Sequence, residues 1–583
     1  MKYIPHRPFD LVLSFYMKIA PTVIFIALLA ILLGWSINRP QDVGPDVPQG
    51  KLNSLSFAPF WEGQGPMDEI FPTVAQLDTD LRLMSEKTHS IRTYASGEGT
   101  MPEIPQLARK YGLTMIQGAW LGGIKKGNKL EIDELIRSAN ANPDVVKRVI
   151  VGNEVLLRGD LEPEELIQYI RAVKQAVKQP VSYADVWSMY MKYPELINEV
   201  DFITIHILPY WEDEPIPVDA APAHIERIYK HVQQEAQAIA PNKPILIGES
   251  GWPSEGRQRG LAVPSVVNEA KFIRGLIAVA NANGFDYNIV EAINQSWKSE
   301  LEGVVGANWG LFSVDRQEVF PLTGKVYENP LWYKAWAIAA TIFVFVVAVF
   351  RKPLQALPFL PMAGLLVFLQ IFALLWVNQA ELLWYTSYTL WQRMFTLLVV
   401  GLNAILAGLI VQNGYACSAK LEINQKYAGY LYQLYLLFYG FAIFKTFSLA
   451  VNGRYISFPL LTASVPVIGI LGLILVRYFS AHKSLSEAMA FEWLPTNFKK
   501  YPGRHKWLAR ALIGTGFMLV IGEALAFFQS RDLILAYPEV GKRLATSLSF
   551  TMGNIQLVQW LLCLVVLALP FAVSRGESEI VGR

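Results

Sequence analysis

Hydrophobic and polar positions divide this chain into two kinds of pattern. Ala20 to Ile37 is one unbroken apolar run, and seven more apolar stretches follow downstream, near 335–350, 357–377, 394–412, 429–447, 459–476, 511–529 and 553–573. Each approaches the ~20 residues a helix needs to cross a bilayer. Between them, apolar runs of strand length alternate with segments of helical period. The strand-like runs are Leu55–Phe60, Ser90–Tyr94, Leu113–Trp120, Val146–Gly152, Val181–Val186, Phe202–Leu208, Pro244–Gly248 and Ile289–Ile293. Helix-patterned segments separate them, such as Pro163–Lys178, Pro222–Ala240 and Pro264–Asn283, each opened by a proline suited to a first helical turn.

Eight strand-then-helix units over this length predict an α/β soluble domain folded as a (β/α)8 barrel, joined to an α-helical polytopic membrane domain. A doubly wound open sheet is the alternative, but no Gly-rich phosphate loop follows the first strand. The expected organisation is a cytoplasmic N-terminus and membrane anchor over 1–37, a Pro/Gly/Asp-rich linker over 38–50, a catalytic barrel over 51–330 and a seven-span domain over 331–583. A cleavable signal peptide competes for the first run, since Lys2, Arg7 and Lys18 precede it. No small-residue cleavage site follows, which favours an uncleaved anchor.

With eight spans both termini lie on one side. The loops on that side carry Arg351, Lys352, Lys420 and Lys426, and the longest, 477–510, adds Arg477, Lys483, Lys499, Lys500, Arg504, Lys506 and Arg510. The opposite loops hold Arg393, Arg454, Arg531, Lys542 and Arg543. Positive charge gathers on the cytoplasmic face, so the expected location is a bacterial inner membrane with the barrel in the periplasm.

Composition agrees. Of 583 residues 52% are hydrophobic and 17% charged, too apolar for a wholly soluble chain. The net charge of +2 gives no case for nucleic-acid binding. Cys417 and Cys563 are too few for a disulfide framework and read as packing residues, and no Cys/His cluster has metal-ligand spacing. Neither a metal nor an organic cofactor is implied.

The chemistry concentrates in two carboxylates. Glu154 closes the run Val149–Gly152–Asn153–Glu154, and Glu249 closes Ile245–Gly248–Glu249. They fall at the ends of the fourth and seventh predicted strands, on the face where barrels of this class place their active sites. Either alone could simply cap the next helix. As a facing pair they are the minimal machinery for breaking or transferring a glycosidic bond, through a proton donor and a nucleophile.

Gly152-Asn153-Glu154-Val155 and Glu249-Ser250-Gly251-Trp252-Pro253-Ser254 closely resemble the two signatures of glycoside hydrolase family 17, which contains β-1,3-glucanases and β-glucan transglycosylases. Ile91-Arg92-Thr93-Tyr94, His206-Ile207-Leu208-Pro209-Tyr210-Trp211 and Glu291-Ala292-Ile293-Asn294-Gln295-Ser296-Trp297-Lys298 resemble its second-, sixth- and eighth-strand regions. The resemblance spans about 55–315 and implies Glu154 as acid/base and Glu249 as nucleophile. Asn153 is expected to bond a sugar 2-hydroxyl and Arg92 to orient the nucleophile. Tyr210 is expected to bond nucleophile or sugar, and Trp297 to stack on a ring. Tyr94, Asp185, Trp252 and Glu291, with Trp120, Trp187 and Trp211, are further groove candidates. His206 has no evident partner and reads as a core histidine. The sequence departs from the family at Ile293-Asn294-Gln295 and at Ile207, both on the expected substrate face.

The bilayer and a β-glucan chain are the expected partners. No nucleotide-sugar motif lies in the cytoplasmic loops, so polymerisation from an activated donor is not expected of this chain alone. The leading expectation is a retaining β-glucan transglycosylase forming β-1,3- and β-1,6-linked or branched glucan. A hydrolytic β-1,3-glucanase, and a non-catalytic glucan-binding partner of a glucan synthase, are the alternatives. Glu523, inside an apolar span, is either functional or buried against a neighbouring helix.

Overall fold

The computed structural model describes residues 18–480, 482–490 and 502–573. Lys2, Arg7, Lys499 and Lys500 of the charge analysis lie outside the described residues. The described chain forms two compact units, one of residues 40–328 with 530–538 and one of the remainder.

The first unit is a closed barrel of eight parallel strands in sequence order: β1 (Leu55–Ser56), β2 (Ser90–Arg92), β3 (Thr114–Ala119), β4 (Val146–Asn153), β5 (Val181–Val186), β6 (Ile203–His206), β7 (Ile245–Ser250) and β8 (Asp286–Ile289). Leu55 of β1 pairs with Ile289 of β8 and closes it. Helices such as Val74–Lys87, Pro163–Ala176, Ala221–Ile239 and Val266–Asn283 wrap the outside. Thr73 and Gln76 start the first of these with a reciprocal capping box, satisfying two backbone donors. The apolar faces of helices and strands merge in one core, while Ile116, Ile150, Ala184, Phe202 and Leu246 form a smaller buried cluster across β3 to β7.

Two differences from the sequence reading have clear causes. The expected eighth strand, Ile289–Ile293, is displaced to Asp286–Ile289. Asn288 there is buried and exchanges hydrogen bonds with Ser54, Ser56 and the Gly248 carbonyl, so a polar strand is satisfied inside the barrel. The expected linker 38–50 is packed instead: Val43 and Val47 are buried, Gln41 pairs with Val326, and Arg274 bonds Asp46 at 3.2 Å. Proline and glycine there break regular structure without freeing the chain.

The second unit is helical. Eight helices of the described chain are long and apolar enough to cross a membrane: Ala20–Ile37, Trp332–Val349, Phe359–Tyr385, Leu390–Ser418, Gln425–Asn452, Leu460–Phe479, Arg504–Phe528 and Ile555–Ala572. Some of their buried polar groups are paired within the bundle. The Asn403 amide donates to Gln379 Oε1 at 3.0 Å and to the Thr462 carbonyl at 3.1 Å, and the Trp560 indole donates to Thr446 at 3.0 Å. Glu523 is buried, and Cys417 and Cys563 are free and half-buried.

Candidate active site

Two glycine-marked irregularities aim the central side chains. Along β4, Ile150 pairs with Ser182 but Asn153 pairs with Ala184, so three steps on β4 match two on β5. Gly152, at φ 84°, takes up the extra residue. Along β7, Ile205 pairs with Ile247 while His206 pairs with Glu249, and Gly248 is the extra residue. Each slip exchanges the strand's two faces, bringing Asn153 and Glu249 to the inner side. A Cβ on Gly248 would lie 2.4 Å from Thr204 Cγ2, so only glycine fits the bulge.

Glu154 follows β4 directly and sits in the left-handed region, at φ 54° and ψ 27°. That conformation costs a non-glycine residue about 1–2 kcal/mol. Local bonds hold it: the Glu154 amide donates to the Ala184 carbonyl at 2.8 Å, and the Arg158 guanidinium bridges the carbonyls of Asn153 and Leu121.

One carboxylate oxygen of Glu154, one of Glu249 and a ring nitrogen of His206 all lie within 4.8 Å of one another. Arg92, fully buried, donates from Nη1 to Glu249 Oε1 and to the Gly248 carbonyl, both at 2.9 Å, and from Nη2 to Asn153 Oδ1 at 2.6 Å. With its oxygen committed to Arg92, Asn153 has its amide nitrogen left to donate. The Tyr94 hydroxyl oxygen lies 3.1 Å from Ser56 Oγ and its ring lies 4.8 Å from the Arg92 guanidinium.

The electrostatics separate the acids. Burial pushes the Glu249 carboxyl up, but the charges of His206 and Arg92, with hydrogen bonds from Arg92 and Tyr94, outweigh it and hold it below the usual carboxylate range. Burial raises Asp185 to about 6, assisted by the charge of Glu154 and opposed by the Tyr183 hydrogen bond and by His206. Glu291 is likewise raised by burial, to about 7, against the pull of Lys298 at 3.0 Å.

Several expected groove residues sit elsewhere. Tyr210 is fully buried, and its hydroxyl donates to the Arg257 carbonyl while its ring meets Trp211, Trp252 and Trp309 edge-on. Trp252 is a core residue whose indole donates to the Val263 carbonyl at 3.0 Å. Asp185 is buried behind Glu154, accepting from the Tyr183 hydroxyl and the Val186 and Leu157 amides. The polar atoms of all three are already engaged inside the fold. Glu291 is also buried, in its ion pair with Lys298. Trp297 is half-buried at the rim, its indole donating to Gln295 Oε1 at 2.8 Å and its ring edge-on to Phe60. Trp120 is 39% exposed.

His206 is the correction of most consequence. Far from being an isolated core histidine, it places Nδ1 2.9 Å from Glu154 Oε1 and Nε2 3.6 Å from Glu249 Oε1. Its position at the end of β6, level with the two glutamates, was the signal available in the sequence. Lys298, one residue beyond Trp297, was also missed.

One oxygen of Glu154 within 4.8 Å of one of Glu249 accords with the ~5–5.5 Å between carboxyl groups of retaining glycosidases better than with the ~6.5–9.5 Å of inverting enzymes. Residues 55–310 match the model of the BtgE/BtgC glycoside hydrolase domain. The barrel is covered by this match, and its relatives include family 17 glucosidases. It is similar to a glucan 1,3-beta-glucosidase of Arthroderma benhamiae, 26% identical over 272 residues, 44% of this chain and 86% of that protein. A probable family 17 glucosidase of Saccharomyces cerevisiae, SCW4, is 29% identical over 175 residues, 29% of this chain and 44% of that protein. Among solved structures, a family 17 beta-1,3-glucanosyltransferase from Rhizomucor miehei aligns at 28% identity over 46% of this chain and 95% of that one, with a TM-score of 0.40. The domain match and the glucosidase relatives make the chain an enzyme of the glycoside hydrolase type. Its apolar helices lie outside the matched residues.

Proposed function

We propose that the protein is a membrane-anchored retaining transglycosylase acting on β-1,3-glucan outside the cytoplasm, with Glu249 as nucleophile and Glu154 as acid/base. The observation that carries this reading is the short gap between the two carboxylates, combined with the Arg92 guanidinium bonded to Glu249. Glu249 attacks the anomeric carbon, and the departing sugar oxygen keeps the bonding pair and takes the proton of Glu154. An acceptor hydroxyl then gives its proton to Glu154, attacks the same carbon and releases Glu249. Asn153, held by Arg92, donates its amide to the sugar 2-hydroxyl, and Trp297 offers an aromatic face at the rim.

The β-1,3-glucan substrate follows the names of the similar fungal proteins. Transfer to a second glucan, forming β-1,3/β-1,6-linked or branched product, is preferred over hydrolysis because a scavenging glucanase has little use for eight apolar helices. The positive-inside pattern supports a bacterial inner membrane, with the barrel periplasmic and both termini cytoplasmic.

The test is incubation of the detergent-solubilised full chain with laminari-oligosaccharides, followed by sizing of the products. Products longer than the input support transfer, and exclusively shorter ones assign a hydrolase. Glu249→Gln should abolish both while retaining glucan binding; undiminished turnover in that variant would remove Glu249 from the mechanism.

A further inference from the structure

His206 departs from what a packing histidine does. Its side chain has no solvent exposure, yet Nε2 lacks a hydrogen-bond partner among the described residues. Buried ring nitrogens are ordinarily satisfied. The ring is instead spent on the catalytic carboxylates. Nδ1 is within hydrogen-bond reach of Glu154 Oε1 at 2.9 Å, whereas Nε2 stands 3.6 Å from Glu249 Oε1, beyond that reach. The charged and titratable groups facing it are Glu154 at the end of β4, Asp185 on β5 and Glu249 on β7, with Arg92 of β2 beyond Glu249. The fold makes room for it, since a Cβ on Gly248 would stand 3.3 Å from its Cδ2.

We propose that His206 is the positioning residue of the acid/base. Its Nδ1–H donates to one oxygen of Glu154, leaving the other oxygen to carry the proton toward the glycosidic oxygen. After that proton has left with the leaving sugar, the same bond stabilises the new Glu154 carboxylate until an acceptor hydroxyl returns a proton to it. His206 keeps its own proton throughout. The asymmetry of the two distances assigns the ring to Glu154 rather than to Glu249, which already has Arg92. This inference rests on the reading of Glu154 as acid/base and names a residue outside the two signatures.

The experiment compares two donors on the full-length enzyme in detergent: a laminari-oligosaccharide, whose sugar leaving group needs protonation, and β-laminaribiosyl fluoride, whose leaving group needs little. His206→Ala should lower kcat/KM on the oligosaccharide about 10–100-fold, within the range general acid catalysis supplies, and less than about 3-fold on the fluoride. The basic limb of the pH profile on the oligosaccharide should move to higher pH, because the carboxylate has lost its donor. His206→Asn, whose amide nitrogen occupies the place of Nδ1, should recover much of the loss. It also serves should the alanine variant fail to fold. Equal losses on both donors, or a fixed basic limb with asparagine no better than alanine, would overturn the proposal. A wild-type enzyme inactive on both donors would instead sink the assignment of the glutamate pair.

Discussion

Replacing Arg92 by methionine tests whether the nucleophile is held ionised by this one side chain. The guanidinium is fully buried and makes three bonds, to Glu249 Oε1 and the Gly248 carbonyl at 2.9 Å and to Asn153 Oδ1 at 2.6 Å. Methionine fills much of the volume but supplies neither charge nor donors. A hydrogen bond to a charged group is worth about 1.5–3 kcal/mol. At 1.36 kcal/mol per pH unit, losing it should raise the Glu249 carboxyl by about one to two units. Burial already pushes that carboxyl up, and of the neighbours that lower it His206 would remain. The sign follows: the nucleophile must be ionised, so the acid limb of kcat/KM moves to higher pH. On the plateau, misaligned Glu249 and Asn153 should lower kcat/KM a further ~10–100-fold, as small displacements of reacting groups do. Arg92→Lys should fall between, since one ammonium cannot reproduce the fork spanning both partners. The assay is the pH dependence of kcat/KM on laminari-oligosaccharides. A variant that melts earlier but keeps its acid limb would show that Arg92 holds the barrel together without governing the nucleophile.

Three further outcomes follow from the same geometry. Because Glu154 occupies a left-handed conformation, Glu154→Gly should melt above Glu154→Ala by an amount near ~1 kcal/mol, the reverse of the usual order at a regular position; an alanine variant of equal stability would deny the strain. Gly248→Ala drives a methyl to 2.4 Å from Thr204 Cγ2, so thermal melts should show a loss of about 1–3 kcal/mol, with activity falling as the bulge moves Glu249; an unaltered melt would refute it. Lys298→Met strips the buried Glu291 of its ion pair. Glu291 is raised to about 7 from 4.5, so its ionisation opposes folding as pH rises from 4.5 past 7, and the variant's melting temperature should drop more at pH 8 than at pH 5; equal drops would contradict this.

The strand-and-helix order was legible because burial writes it plainly. Outer helices need one apolar stripe, and parallel strands covered by helices need apolar runs, as in Val146–Val151. The last strand was misplaced for the complementary reason: Asp286-Tyr287-Asn288 looks polar until the Ser54 and Ser56 partners are seen. The two glutamates stood out because each ended an apolar run. Their inward aim was not legible, since the bulges at Gly152 and Gly248 change the count of faces and depend on the neighbouring strand's register. Family position also misled at Tyr210 and Trp252, whose polar atoms are engaged with backbone carbonyls inside the core. Exposure is a property of the loops around a residue, which a motif does not carry.

The barrel's C-terminal end holds four acids, Glu154, Asp185, Glu249 and Glu291, and strand position alone does not give them different roles. Their neighbours do. Glu249 has Arg92 against it and His206 nearby, and so stays ionised despite its burial. Asp185 answers mainly to neutral donors, the Tyr183 hydroxyl and two backbone amides, so burial prevails and lifts it to about 6. Glu291 has one ammonium but feels Glu302 and Glu249 as well, which leaves it near 7. A carboxylate poised above the usual range makes a poor nucleophile, because at the pH where its neighbour attacks it holds a proton. On the proposed mechanism the role of nucleophile therefore follows the Arg92 guanidinium. An arginine placed on β2 selects Glu249 on β7 from four candidates, and the selection would move if that charge moved.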